Sequence, residues 1–156
     1  MKTQAQVLVA FRQPLEMHEF DLPTLDEGEV LVRVTYAGVC GSDLHMASGE
    51  DPRTPLPIIL GHEGVGEVVE VRGEKQSVDG RPLEPGMPVL WNRGVVCGEC
   101  FFCSRGEHHL CPDRFVYGIH RGVDVPPHVN GCYSRYLPLD AAAGRSRSVL
   151  TCEKPL

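Results

Sequence analysis

The sequence predicts a small, mainly β domain with short helices, a barrel or sandwich that carries one irregular, cysteine-rich lobe. Three observations predict it. Short alternating or β-branched runs recur between turn signals. The 17 glycines and 13 prolines among 156 residues punctuate the chain too often for long helices. Four of the seven cysteines crowd into 97–111, where apolar periodicity disappears. A chain of this length, 42% hydrophobic, suffices for one domain with a core of its own.

The elements follow in order. Gln6–Phe11 predicts a first strand, and Leu22–Gly28 a turn. Glu29–Tyr36 alternates and is rich in β-branched residues, so it predicts a strand. Ala37–His45 reads as a loop with one helical turn. Asp51–Pro57 holds three prolines, which fix φ and remove donors, and so excludes regular structure. Gly64–Val71 and Met87–Trp91 predict strands on either side of a polar, hairpin-like insert at Arg72–Gly86. Residues 92–130 form the Cys-, His- and Gly-rich lobe, and Gly131–Leu137 returns to strand character. The domain is expected over 1–140, followed by a tail of unassigned structure over 141–156.

Charge and composition exclude several classes. Lys and Arg number 15 against 21 Asp and Glu, a net charge of −6, the opposite of a nucleic-acid footprint. Aromatic residues are 6%, too few for a base-stacking platform. No apolar run is long enough to span a bilayer, and the first residues do not read as a signal peptide. A cytoplasmic setting is therefore expected. An odd cysteine count without an export signal favours metal ligation or catalysis over a disulfide framework.

Cys97-x2-Cys100-x2-Cys103-x7-Cys111 supplies four thiolates. Four thiolates at about 2.3 Å complete a tetrahedron around zinc and leave no open position, so such a site holds shape. Two rivals stand beside it. One is a pair of disulfides. The other is an iron–sulfur cluster, although a ferredoxin run places its fourth cysteine after three residues rather than seven.

A second constellation differs in kind. Cys40 and His62 lie on separate loops, with Glu63 beside the histidine. Two or three protein ligands leave a position for water or substrate, as Lewis-acid chemistry requires. Ser42 is placed to exchange a proton with an oxygen bound there, and His45 to pass that proton towards solvent. Asp43 is expected to accept the second ring N–H of His62. Taken singly, a buried cysteine or a loop histidine is more often structural; their joint occurrence beside the four-cysteine lobe changes the odds. A cysteine nucleophile at Cys40 with His45 or His62 as base is the weaker reading.

These residues resemble the catalytic, GroES-like domain of the zinc-containing medium-chain alcohol dehydrogenases. Gly61-His62-Glu63-x2-Gly66 is similar to the start of that family's zinc signature. Cys40-Gly41-Ser42-Asp43-x-His45 is similar to its first-ligand loop, and the four-cysteine spacing to its structural-zinc lobe. The resemblance covers about residues 5–140. It implies a GroES-like, partly open β-barrel. It implies two zinc ions per chain, a structural one on Cys97, Cys100, Cys103 and Cys111 and a catalytic one on Cys40 and His62, with Glu63 a near or alternate ligand. It implies oxidation of an alcohol to a carbonyl, with hydride passed to NAD(P) in the full-length enzyme and Ser42 and His45 relaying the proton. A small alcohol or carbonyl substrate and a homo-oligomer are the implied partners, with neither nucleic acid nor membrane.

The sequence departs from the family in three respects. Gly64-Val65-Gly66 precedes Glu67 and a strand, so it is no dinucleotide loop, and a Rossmann domain is expected to be absent from these 156 residues. The chain thus reads as a truncated catalytic domain, inactive by itself. A third catalytic ligand is expected downstream, where Cys152 and Glu153 are weak candidates. A polar insert runs from Glu74 to Pro85. The competing function is a non-catalytic zinc-binding scaffold that presents the lobe to a partner. Residues 93–121 carry four arginines against three acids, too weak a charge to grip phosphate.

Overall fold

The computed structural model describes residues 1–142 and 149–151. Among the described residues, ten strands and one α-helix follow one another: β1 Lys2–Leu8, β2 Glu16–Asp21, β3 Val30–Ala37, α1 Gly41–Ser48, β4 Ile58–Ile59, β5 Gly64–Val71, β6 Pro88–Trp91, β7 Gly94–Val95, β8 Phe115–Val116, β9 Tyr136–Leu139 and β10 Val149–Thr151. A five-stranded sheet runs β10-β6-β5-β3-β9, a three-stranded one β2-β1-β4, and β7 pairs with β8. The segment before β9 ties the two larger sheets together: Gln6 N–H donates to Tyr133 O at 2.8 Å and Arg135 N–H to Gln4 O at 2.9 Å. The result is the expected mainly β, partly open barrel.

The core lies inside the five-stranded sheet. Val30 and Val32 of β3, Val68 of β5, Val89 and Trp91 of β6, Leu137 and Leu139 of β9 and Val149 of β10 pack with Phe115 and Tyr117. Burying each such aliphatic side chain contributes about 1.5–3 kcal/mol. Leu83, from the polar insert, reaches the same core, and the insert closes through a Gln76–Pro82 bridge.

The boundaries shift where exposure hides the pattern. The first strand ends at Leu8 rather than Phe11. β2 was expected as no element at all: its burial reads almost entirely exposed, so it offers no alternation, and its pairing with β1 from Lys2–Asp21 to Val7–Glu16 creates it. The last expected strand begins five residues later, at Tyr136, and contains Pro138. Proline is tolerated there because β9 is an edge strand. The expected single turn after Ala37 is a full helix, α1. Of residues 141–156, Val149–Thr151 pair with β6.

The lobe has little core of its own. Between β7 and β8 it contains two single 3₁₀ turns, Cys103–Arg105 and His108–Leu110. Its buried cluster is Val96 with Cys103 and Cys111, against which Cys97 and Cys100 pack. A segment so poor in apolar contacts needs another source of folding energy, of the kind metal ligation can supply.

Candidate metal centres

The lobe turns on its cysteines. Cys100 N–H points at Cys97 Sγ at 3.4 Å, and Cys103 N–H at Cys100 Sγ at 3.4 Å. Each Cys-x2-Cys turn thus aims an amide at the preceding sulfur. Cys97 Sγ lies 3.7 Å from Cys111 Sγ and 4.0 Å from Cys103 Sγ, and all four sulfurs lie within 4.8 Å of one another. A disulfide needs about 2.05 Å between sulfurs. Four thiolates around zinc at about 2.3 Å stand about 3.75 Å apart. The observed spacing fits the second, and all four cysteines are free thiols. The backbone amides of Glu99 and Cys100 pull the Cys97 thiol down to about 7. Burial, reinforced by the neighbouring sulfurs, pushes Cys103 up to about 12. Hydrogen bonding thus favours the thiolate at Cys97, while burial disfavours it at Cys103.

The second group joins two loops. Cys40 stands at the N-cap of α1. His62 lies between β4 and β5, and Glu63 immediately before β5. Cys40 Sγ is 3.2 Å from His62 Nε2, Glu63 Oε1 is 3.9 Å from the same nitrogen, and the three donor atoms lie within 4.8 Å. His62 is 1% exposed. A thiol, an imidazole and a carboxylate thus meet within reach of one ion. A Cys–His nucleophilic pair needs its orienting group on the far ring nitrogen, Nδ1, but Glu63 faces the same Nε2 as Cys40, which is the arrangement of a metal donor set.

Asp43 is the organiser. It is 2% exposed, and its carboxylate accepts from both ligand loops, from Cys40 N–H at 2.9 Å and from Gly61 N–H at 3.1 Å. The expected bond to His62 is not made: the carboxylate oxygen stands 4.0 Å from Nδ1, which has no hydrogen-bond partner among the described residues. The backbone amides occupy the carboxylate instead. Gly61 has φ of +87°, and a Cβ there would lie 2.6 Å from the Tyr133 ring. Both constraints require glycine directly before His62. Tyr133 also donates its hydroxyl to Gly38 O at 3.3 Å, and sequence reasoning gave it no role.

Ser42 and His45 sit one turn apart on α1 and line one open cavity of about 590 Å³ with Glu50 and Arg53. The structure therefore brings together Cys40, His62 and Glu63, and separately the four lobe cysteines. Cys152 and Glu153 lie outside the described residues. Cys132 is 2% exposed, and burial pushes its thiol up to about 12, as expected of an inert core cysteine. Trp91 is buried in the main core behind Gly64.

The alcohol dehydrogenase GroES-like domain family matches residues 26–144, and the chain belongs to that family. An alcohol dehydrogenase of Geobacillus stearothermophilus is 42% identical over 135 residues, which is 85% of this chain and 36% of that protein. The crystal structure of an alcohol dehydrogenase from Thermotoga maritima superposes with a TM-score of 0.87 at 51% identity, covering 99% of this chain and 41% of that one. A zinc-binding dehydrogenase of Sinorhizobium meliloti bound to NADP superposes with a TM-score of 0.72 at 27% identity, covering 97% of this chain and 38% of that one. The chain thus spans about a third of the length of the curated relative.

Proposed function

We propose that residues 1–140 form the metal-bearing catalytic domain of a zinc-dependent alcohol dehydrogenase, which oxidises a small alcohol to a carbonyl with NAD(P) as hydride acceptor. The convergence of Cys40 Sγ, His62 Nε2 and a Glu63 carboxylate within 4.8 Å carries this reading. The family membership and the NADP-bound neighbour support it. Zinc would be held at two places. The four lobe sulfurs offer a closed set that stabilises the lobe, and the Cys40–His62–Glu63 set leaves room for an oxygen ligand. When bound at the second place, zinc supplies Lewis-acid stabilisation of negative charge on a substrate oxygen. The hydride chemistry belongs to the cofactor.

This chain's residues do the rest. Asp43 holds both ligand loops at a fixed separation through two amides. Ser42 stands at the start of α1 beside Cys40, where its hydroxyl passes a proton away from the substrate oxygen. His45, one turn further along the same cavity wall, takes it onward to solvent. A cytoplasmic setting belongs to the same proposal. Among the described residues no helix is long and apolar enough to cross a membrane.

Metal analysis of protein purified without chelators tests the reading. About two zinc ions per chain are expected, falling to about one in Cys40→Ser. One ion in the unaltered chain, unaffected by that substitution, would favour the scaffold reading. Joining the chain to the dinucleotide-binding portion of such a dehydrogenase should give NAD(P)-dependent oxidation of simple alcohols.

A further inference from the structure

The His45 side chain is exposed yet carries a partner of its own, Glu50. α1 closes on Gly49, whose φ of +79° is left-handed; a Cβ there would lie 2.9 Å from the Phe11 ring. That reversal returns the chain beside the helix, with Glu50 N–H donating to His45 O at 3.0 Å. The Glu50 carboxylate then meets the same residue's side chain, its Oε2 2.5 Å from His45 Nδ1. The cap glycine thus folds the acid onto the imidazole five residues before it.

The charges around the pair leave Glu50 ionised. The His45 ring, then the Ser48 hydroxyl, hold its carboxyl below the usual range, and Arg12 acts in the same direction. Asp51 and Arg53 on the same cavity wall are bound to each other, at 2.9 Å. An ionised carboxylate only accepts hydrogen bonds, so the nitrogen facing it must carry the proton. Nε2 is then the free lone pair of the neutral ring. Ser42, three residues earlier on α1, lines the same cavity.

We propose that Glu50 is a positioning residue for the proton relay: its carboxylate fixes His45 in the Nδ1–H form and leaves Nε2 as the acceptor for a proton arriving from Ser42. The relay itself rests on the dehydrogenase reading above; the pairing does not. In the forward direction a proton that leaves the Ser42 hydroxyl is taken up along the cavity at Nε2, where an N–H bond forms, while the hydroxyl gains a proton from the substrate. The imidazolium, stabilised by Glu50, releases its proton to water. The carboxylate is not consumed, and no oxidant or reductant enters this step.

The test has two parts. Nitrogen-15 NMR of the histidine side chains, with His45 assigned by its loss in His45→Gln, reads the tautomer in the zinc-loaded chain. The neutral ring should be predominantly Nδ1–H, shifting towards Nε2–H in Glu50→Gln and returning in Glu50→Asp. An Nε2–H ring in the unaltered protein, or no change in Glu50→Gln, overturns the proposal. In the whole enzyme, Glu50→Gln should lower kcat about three- to tenfold with KM unchanged and add nothing in a His45→Gln background. Additive losses would also overturn it, because a merely structural residue acts independently of His45. Full turnover in His45→Gln with a normal tautomer result would instead refute the relay reading of the site.

Discussion

Asp43→Asn isolates the part of the site that depends on one carboxylate. The side chain is 2% exposed, and each oxygen accepts one backbone N–H, from Cys40 at 2.9 Å and from Gly61 at 3.1 Å. Asparagine keeps one acceptor and turns an NH2 group against the other amide. One charge-assisted hydrogen bond, worth about 1.5–3 kcal/mol, is lost, and a buried N–H is left opposing a second donor. The expected loss of stability is about 2–4 kcal/mol. The two ligand loops are also no longer held at their separation, so zinc affinity at Cys40, His62 and Glu63 should fall about 10–100-fold. The four-cysteine centre shares no residue with this network and serves as the internal control. Urea denaturation at fixed free zinc measures the first effect, and competition against a chromophoric chelator the second. A variant that loses less than about 0.5 kcal/mol and binds two ions as tightly as before would refute the organising role of Asp43.

The other predictions are more local. Stripping metal from the lobe, or replacing Cys111 by Ser, should make 97–111 the first site of proteolysis while the main sheet stays folded, since the lobe's own buried cluster is so small; limited proteolysis with mass spectrometry reads this. Gly61→Ala must strain a left-handed backbone and strike the Tyr133 ring, so thermal unfolding should show a loss of about 1–3 kcal/mol. Arg53 holds the Asp51 carboxyl down to about 2 from 3.8. Its small contribution to stability is thus present above pH 4 and disappears as pH falls towards 2, and Arg53→Gln should move the carboxyl titration, followed by carbon-13 NMR, back up. Burial pushes Cys132 up to about 12 from 9.0. That contribution is complete below pH 9 and disappears as pH rises through 12, and Cys132 should resist alkylation at pH 8 in the folded chain while reacting in urea.

Sequence spacing alone placed the four lobe cysteines in one metal set, because ligands this close in the chain can hardly avoid meeting in space. It also marked Cys40, His62 and Glu63, because their joint occurrence beside that lobe outweighs the structural reading each would carry singly. Strands with a buried face, β3 and β5 above all, were legible through their β-branched runs. β2 was not, because its residues are almost all exposed and only its partner β1 makes it a strand. Three features required the folded chain. Asp43 was expected to bond His62, but the descent of both ligand loops onto its carboxylate gave its oxygens to two amides. Tyr133 reaches Gly38 across 95 residues of chain, a contact no local pattern encodes. Glu50 meets His45 only because a left-handed glycine reverses the chain at the end of α1. Composition and spacing determine which donors exist; hydrogen bonds between distant segments decide which of them face one another, because that choice is fixed by the closure of the barrel.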